Sequence, residues 1–152
     1  MNIKRILKIF ISPTNSLILY DLVKKSGHEP LAIMGAIGNK VKDPEIDSPP
    51  RNITSADVRE GLGYCAVEVP SGIRGRLSIL GNLIKEADGA IIVDDPDFEF
   101  GCQGCARTNE FIKYLIYERE IPYITLNYPR SKDEAKEFVN TIMGFLKKLK
   151  ET

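Results

Sequence analysis

The feature of this sequence that most constrains its fold is the apolar run from Ala90 to Val93, which ends at the acidic pair Asp94 and Asp95. A continuous apolar run of this length lacks the alternation of a strand that is buried on one face only. It is typical of a strand buried on both faces, as in parallel sheets covered by helices. The run therefore indicates an α/β fold.

Helical segments separate this run from further candidate strands along the chain. Pro13 to Asn15 end the first strand and offer caps for a helix that Gly27 ends, and Ser131 to Glu134 form a capping box for the last helix. The pattern predicts strands at residues 5–12, 30–35, 65–69, 90–93 and 121–126. Strands that alternate with helices predict an open, mostly parallel, Rossmann-like sheet with helices on both faces.

The length of 152 residues predicts one α/β domain over residues 1–152. Residues 38–60 interrupt the alternation with a long, proline-rich, acidic excursion that is expected to run over the surface. Residues 54–60 within it are predicted to form a short helical turn.

Composition excludes several classes of function. The 21 Lys and Arg balance the 21 Asp and Glu, so no electrostatic feature indicates nucleic acid as a partner. No apolar run approaches the length that spans a bilayer, and we expect no membrane partner. Three cysteines, an odd number, argue against a disulfide framework and predict a cytoplasmic protein.

The strongest chemical signal is the pair Cys102 and Cys105, which is predicted to open a helix from about residue 108 to residue 119. This spacing brings two sulfurs close enough to share a metal, an iron–sulfur cluster or a disulfide. A helix N-terminus lowers the pKa of a thiol there, and Arg107 adds positive charge nearby. We therefore take both cysteines as candidate metal ligands.

A zinc site or a cubane cluster usually takes four protein ligands, and the chain offers only Cys65 and His28 besides the pair. Both are predicted at the opposite edge of the sheet, and His28 is expected at the surface or at a helix cap rather than in catalysis. An iron–sulfur cluster or zinc would thus be shared with a partner chain or a second copy. Two alternatives stay open: a tight structural turn, and thioredoxin-like exchange with Phe100 beside the first cysteine.

A second candidate site is the turn from Pro70 to Arg76, between a predicted strand and a helix. Its candidate anion-binding residues, which would hold a phosphate or carboxylate at a helix N-terminus, are Ser71, Gly72, Arg74 and Arg76. The turn is neither a Walker A loop nor a dinucleotide fingerprint, and an ordinary capped turn is the alternative.

Asp94 and Asp95 begin an acidic loop directly after the buried strand, where carboxylates can hold Mg²⁺ or act as general bases. A solvent-exposed loop is the alternative. Loops 12–16, 70–76 and 94–107 each follow a predicted strand, so the topology predicts them along one edge of the sheet.

Several segments resemble the methanogenesis marker protein 5 family of methane-producing archaea. They are GCQGCARTNE (101–110), DPEIDSPPRNIT (43–54), VPSGIRGRLSILGNLI (69–84) and PTNSLILYDLVKKSGHEPL (13–31). The resemblance implies an accessory role in methanogenesis, in maturation or activation of methyl-coenzyme M reductase, with other methanogenesis proteins as partners. It carries over no catalytic residue. The alternative function is an enzyme or binding protein for a phosphorylated or nucleotide ligand at the strand-end edge.

Overall fold

The computed structural model describes residues 5–33, 35, 46–48, 53–95 and 103–151, and only the backbone of residues 46–48 and 103–105. In chain order its helices and strands are β1 (Lys8–Ser12), α1 (Leu17–Lys25), β2 (Glu29–Leu31), β3 (Ile46–Ser48), β4 (Ile53–Thr54), α2 (Ser55–Glu60), α3 (Ser71–Glu86), β5 (Gly89–Val93), α4 (Gln103–Glu118), β6 (Tyr123–Leu126) and α5 (Lys132–Glu151). The chain divides into two compact units. The first comprises Met1–Ala32, Glu86–Glu99 and Glu120–Thr152, and the second comprises Ile33–Lys85 and Phe100–Arg119.

The first unit contains a four-stranded sheet in the order β2-β1-β5-β6, in which every neighbouring pair is parallel. The α/β class and the open, Rossmann-like parallel sheet are confirmed. The strand order reverses between β1 and β5, because the chain places β2 on one side of β1 and then returns to add β5 and β6 on the other. This reversal creates a switch point at the carboxyl ends of β1 and β5.

The core of the first unit lies between one face of this sheet and the helices α1 and α5. Its buried residues are Leu7, Ile9, Ile11, Leu19, Val23, Ala32, Ile91, Val93, Phe138, Ile142 and Leu146. The intervening residues Phe10, Ala90 and Ile92, which point to the opposite face, are also almost fully buried. Strands β1 and β5 are therefore buried on both faces, as the apolar run predicts.

Local signals set the ends of α1 and α5. Ser16 accepts a hydrogen bond from the backbone of Leu19 at 3.3 Å, and Gly27 takes the positive φ of 79° that lets the chain turn after α1. At α5, the Ser131 hydroxyl accepts from the Glu134 N–H at 3.2 Å. The Glu134 carboxylate reaches back to the Arg130 N–H at 2.7 Å, one residue before the position expected for a capping box.

His28 is buried, with 3% of its surface exposed, so the prediction of a surface or cap position was wrong. Its Nδ1 accepts a hydrogen bond from the Leu7 N–H at 3.2 Å, and its Nε2 lies 3.1 Å from the Leu146 carbonyl oxygen. Nδ1 is an acceptor here, so Nε2 carries the proton and donates. The short turn at Gly27 places the ring between the start of β1 and α5, where it joins the two.

The second unit shows that the acidic excursion contains ordered structure. Strands β3 and β4 pair antiparallel, and Thr54 and Asp57 form a reciprocal capping box that starts α2. The predicted helical turn over 54–60 is confirmed. Ile53, Thr54 and Asp57 are buried, so this part of the excursion does not run over the surface as expected. Residues 36–45 and 49–52 lie outside the described part of the chain.

The predicted strand at residues 65–69 was wrong, because turns occupy this segment. The N–H groups of Tyr64 and Cys65 both donate to the Gly61 carbonyl, and that of Val69 donates to Ala66. These local hydrogen bonds use the donors that a strand would present to a neighbour. The other predicted strands start or end within a few residues of β1, β2, β5 and β6, although β2 ends at Leu31 rather than residue 35.

We predict that His28→Ala lowers the free energy of unfolding by about 2–3 kcal/mol, because it leaves two buried backbone groups without partners. Urea denaturation followed by circular dichroism measures this loss. The neighbouring, exposed Glu29 provides the control substitution Glu29→Gln, which should cost little. Equal stability of the two variants would show that the ring does not join β1 to α5.

Candidate functional site

The carboxyl edge of the sheet carries the residues that directly follow β1, β5 and β6, which belong to the first unit. In open α/β sheets, ligands bind outside this edge, at the point where the strand order reverses. Here that point lies between the loop after Ser12 and the pair Asp94 and Asp95. A ligand of the first unit is therefore expected at this edge.

Asp95 is the most buried charged group at this edge, since only 2% of its side chain is exposed. Its Oδ1 lies 3.2 Å from a guanidinium nitrogen of Arg130, and its Oδ2 accepts from the Tyr128 N–H at 3.3 Å. Both carboxylate oxygens thus hold the loop after β6 against the end of β5. The Arg130 side chain, 56% exposed, supplies positive charge at the surface.

Tyr128 lies beside this carboxylate with its ring partly buried against the core. Burial raises the pKa of the Tyr128 phenol, and the negative charge of Asp95 raises it further. The phenol is therefore neutral near pH 7 and able to donate a hydrogen bond. No sequence pattern indicates Tyr128 or Arg130, because they become neighbours of Asp95 only when β5 and β6 pair.

The turn from Pro70 to Arg76 lies in the second unit and does not follow a strand of the sheet. The topology therefore no longer predicts this turn at the carboxyl edge. Ser71 begins α3 and is exposed, as is Arg76. The Arg74 Nε donates to the Val69 carbonyl at 3.0 Å, which holds that side chain against its own turn. Gly72 is buried. Anion binding by these four residues stays a prediction.

The cysteine pair is associated with α4, which begins at Gln103, five residues before the predicted start. Cys105 therefore belongs to the first turn of this 16-residue helix, and the first turn contains no acidic residue. Cys102 and the side chain of Cys105 lie outside the described residues. Their role as metal ligands stays a prediction.

The two other candidate metal ligands of the chain, Cys65 and His28, already have structural roles. The Cys65 Sγ lies 3.5 Å from the Gly61 carbonyl oxygen and donates to it. Burial raises the pKa of the Cys65 thiol and outweighs the charge of Arg74, which acts in the opposite direction. The thiol is therefore favoured in its protonated form. Both ring nitrogens of His28 are used. Within the described ranges, no three metal-binding side chains lie together.

A polar cluster that sequence reasoning missed joins α2 to α3. Glu60 accepts hydrogen bonds from the Ser78 hydroxyl at 2.8 Å and from the Asn82 amide at 2.9 Å. These hydrogen bonds lower the pKa of the Glu60 carboxyl, with a smaller contribution from Lys85. Ser78 is fully buried, so the cluster has a structural role in joining α2 to α3.

The sequence matches, over residues 7–149, the model of a protein family described as "Uncharacterized protein conserved in archaea (DUF2112)". The chain belongs to this family. The chain is 54% identical to the uncharacterized protein MJ0404 of Methanocaldococcus jannaschii over 144 residues. These residues are 95% of this chain and 96% of that protein. No solved structure matches the chain. Across the part of the chain that the structure describes, no helix is both long and apolar enough to cross a membrane.

We predict that Arg130→Gln lowers the free energy of unfolding by about 1–2 kcal/mol, because it leaves the buried Asp95 carboxylate without its cation while solvent screens part of the loss. Denaturant unfolding measures it. The matched control is Lys136→Gln, which breaks a fully exposed ion pair with Asp133 and should cost almost nothing. If both substitutions cost the same, the Asp95 pair does not hold the edge together.

Proposed function

We propose that this archaeal protein is an accessory protein that holds or passes on a metal or an iron–sulfur cluster through Cys102 and Cys105. The observation that supports the proposal is the start of α4 at Gln103, by which Cys105 belongs to the first turn of a long helix. Backbone N–H groups and the helix dipole favour negative charge at that position. They favour thiolate, the form of cysteine that binds metal.

The remaining ligands would come from outside the chain. Zinc sites and cubane clusters usually take four protein ligands, and besides the pair the chain offers only Cys65 and His28. Cys65 donates to a carbonyl and both nitrogens of His28 are engaged, so neither is free to bind metal without breaking local structure. A second copy or a partner protein would complete the site. A half-site of this kind suits a protein that transfers its cargo.

The biological setting of the proposal comes from the family resemblance. It places the protein among accessory factors of methanogenesis, with maturation or activation of methyl-coenzyme M reductase as the process served. The chain belongs to an archaeal family, and this supports an archaeal setting for the proposed role. Anaerobic conditions would also protect an exposed thiolate pair from oxidation.

We predict that the protein, purified without oxygen and reconstituted with Fe²⁺ and sulfide or with Zn²⁺ alone, binds metal and associates into dimers or larger complexes. The Cys102→Ser, Cys105→Ser variant should lose both properties and keep its circular dichroism spectrum. The control is Cys65→Ser, which should bind metal like the unmodified protein. Metal content and size-exclusion chromatography are the measurements, and unchanged metal content in the double variant would refute the proposal.

The second candidate is an enzyme or binding protein for a phosphorylated or nucleotide ligand at the carboxyl edge. The switch point between β1 and β5 favours it, since this is where open α/β sheets bind such ligands. Among the residues predicted to contact the ligand, Asp94 and Asp95 lie at this edge directly after β5. The turn Ser71–Arg76, also predicted, belongs to the other unit.

For this candidate we predict that nucleotides or phosphorylated coenzymes raise the midpoint of thermal unfolding, because a ligand that binds the native state stabilises it. Differential scanning fluorimetry with a panel of such compounds measures the shift. Arg76→Gln, at the exposed arginine of the turn, tests whether that turn contributes. Absence of stabilisation by every phosphorylated compound would remove the second candidate and leave the cysteine proposal untouched.

A further inference from the structure

Strand β6 ends one side of the sheet, and its outer edge has no neighbouring strand within the described chain. Its inner edge follows β5: the Ala90 N–H donates to the Pro122 carbonyl and the Asp94 N–H to the Leu126 carbonyl, each at 2.9 Å. Successive residues of a strand point their N–H and C=O groups to opposite edges, so the even-numbered residues of β6 face β5. Thr125, in the middle of the outer edge, therefore points its N–H and C=O away from the sheet.

The two edges of the sheet differ in how they accept a further strand. At the other edge, the Glu29 N–H donates to the Leu7 carbonyl, so the next residue of β2, Pro30, points outward and has no N–H to offer. The outer edge of β6 has neither a proline nor a charged residue between Tyr123 and Leu126. These are the devices that usually protect an exposed edge from pairing. The sheet is thus closed at β2 and open at β6.

The side chains of β6 are also less covered than those of its neighbour. Ile124 and Leu126 lie beside Ile91 and Val93 on the face of the sheet that α1 and α5 cover. Ile91 and Val93 are buried, whereas Ile124 and Leu126 are only half-buried. On the opposite face, Tyr123 is 46% exposed. A strand added at this edge would cover these side chains and bury further apolar surface.

The sequence of β6 fits a second copy of itself. In an antiparallel pair with a two-fold axis at Thr125, this residue lies opposite its counterpart, and the two exchange N–H···O hydrogen bonds. Ile124 of each copy then lies opposite Leu126 of the other copy, on the same face of the joined sheet. Apolar side chains thus meet apolar side chains, and threonine meets threonine, which are favourable cross-strand pairs.

The charges at the two ends of β6 support the same arrangement. An antiparallel pair brings the chain before β6 in one copy close to the chain after β6 in the other. Glu120 precedes β6, is exposed, and has no ion pair among the described residues. Arg130 follows β6 and its side chain is 56% exposed. The two-fold axis would place opposite charges together twice, whereas an unrelated strand would have to match both ends separately.

We propose that the protein forms a homodimer in which the β6 strands pair antiparallel and join two four-stranded sheets into one continuous sheet. Thr125 lies on the two-fold axis. This dimer goes beyond the proposed function, because it uses neither the cysteine pair nor a metal. The association on metal binding through Cys102 and Cys105 is therefore measured as a gain in size over this dimer.

Sedimentation velocity of the full chain in excess EDTA tests the proposal without metal. Because the pairing of one strand gives a small interface, the protein is studied up to about 0.5 mM. We expect a species of twice the chain mass of 17.0 kDa that dissociates on dilution. A monomer at every concentration would overturn the dimer and leave the cysteine proposal standing. Loss of metal binding in the double cysteine variant, in turn, would leave this dimer unchanged.

Two substitutions test the position of the axis. Thr125 is exposed, so Thr125→Lys and Thr125→Glu leave the single chain intact. In the dimer, each places two like charges directly opposite one another, and each variant alone should associate about tenfold more weakly. An equimolar mixture of the two should regain the association, because the lysine of one copy then lies opposite the glutamate of the other.

The controls are Asn140→Lys and Asn140→Glu, which make the same changes of charge at an exposed position of α5. Both should associate like the unmodified protein. Association that neither Thr125 variant weakens, or that their mixture does not restore, would show that the β6 strands do not pair at Thr125.

Hydrogen exchange of the Thr125 amide gives a readout in the unmodified chain that does not depend on the folding of a variant. This amide should exchange more slowly as the protein concentration rises, because dimerisation gives it an acceptor. An amide that exchanges equally fast at all concentrations, in a protein that does dimerise, would show that the dimer uses another surface.

Discussion

Burial of β1 and β5 on both faces is the constraint on which the rest of the first unit depends. Phe10 and Ile92 on one face are as fully covered as Ile9 and Ile91 on the other. Polar groups can therefore be placed only at the ends of these strands. The amino ends are closed by hydrogen bonds: His28 accepts from Leu7, and the Asp88 carboxylate accepts from the Lys8 N–H at 2.8 Å.

The carboxyl ends are built differently. Asp95 uses both oxygens to join the end of β5 to the loop after β6, and Arg130 leaves its exposed charge at the surface. The amino ends are thus closed by the side chains of His28 and Asp88, whereas the carboxyl end of β5 is joined to the next loop by Asp95.

Features governed by neighbouring residues could be predicted from the sequence. The strand at Ala90 to Val93, the turn at Gly27 and the cap at Ser131 depend on local propensity and local hydrogen bonds. The predicted strand at residues 65–69 was wrong, because turn hydrogen bonds to Gly61 outweighed the β propensity of its residues. The burial of His28 and the pairing of Asp95 with Arg130 depend on contacts over 118 and 35 positions, which one sequence does not reveal.

Native-state hydrogen exchange of the Leu7 amide, compared with the Leu17 and Ile18 amides at the start of α1, tests most directly whether the hydrogen bond to His28 closes the amino end of β1. Amides that open only on global unfolding exchange slowly, and unbonded surface amides exchange fast. We expect Leu7, bonded to His28, to exchange among the slowest amides, and Leu17 and Ile18 to exchange near the rates of an unfolded chain. A Leu7 amide as fast as those of Leu17 and Ile18 would contradict it.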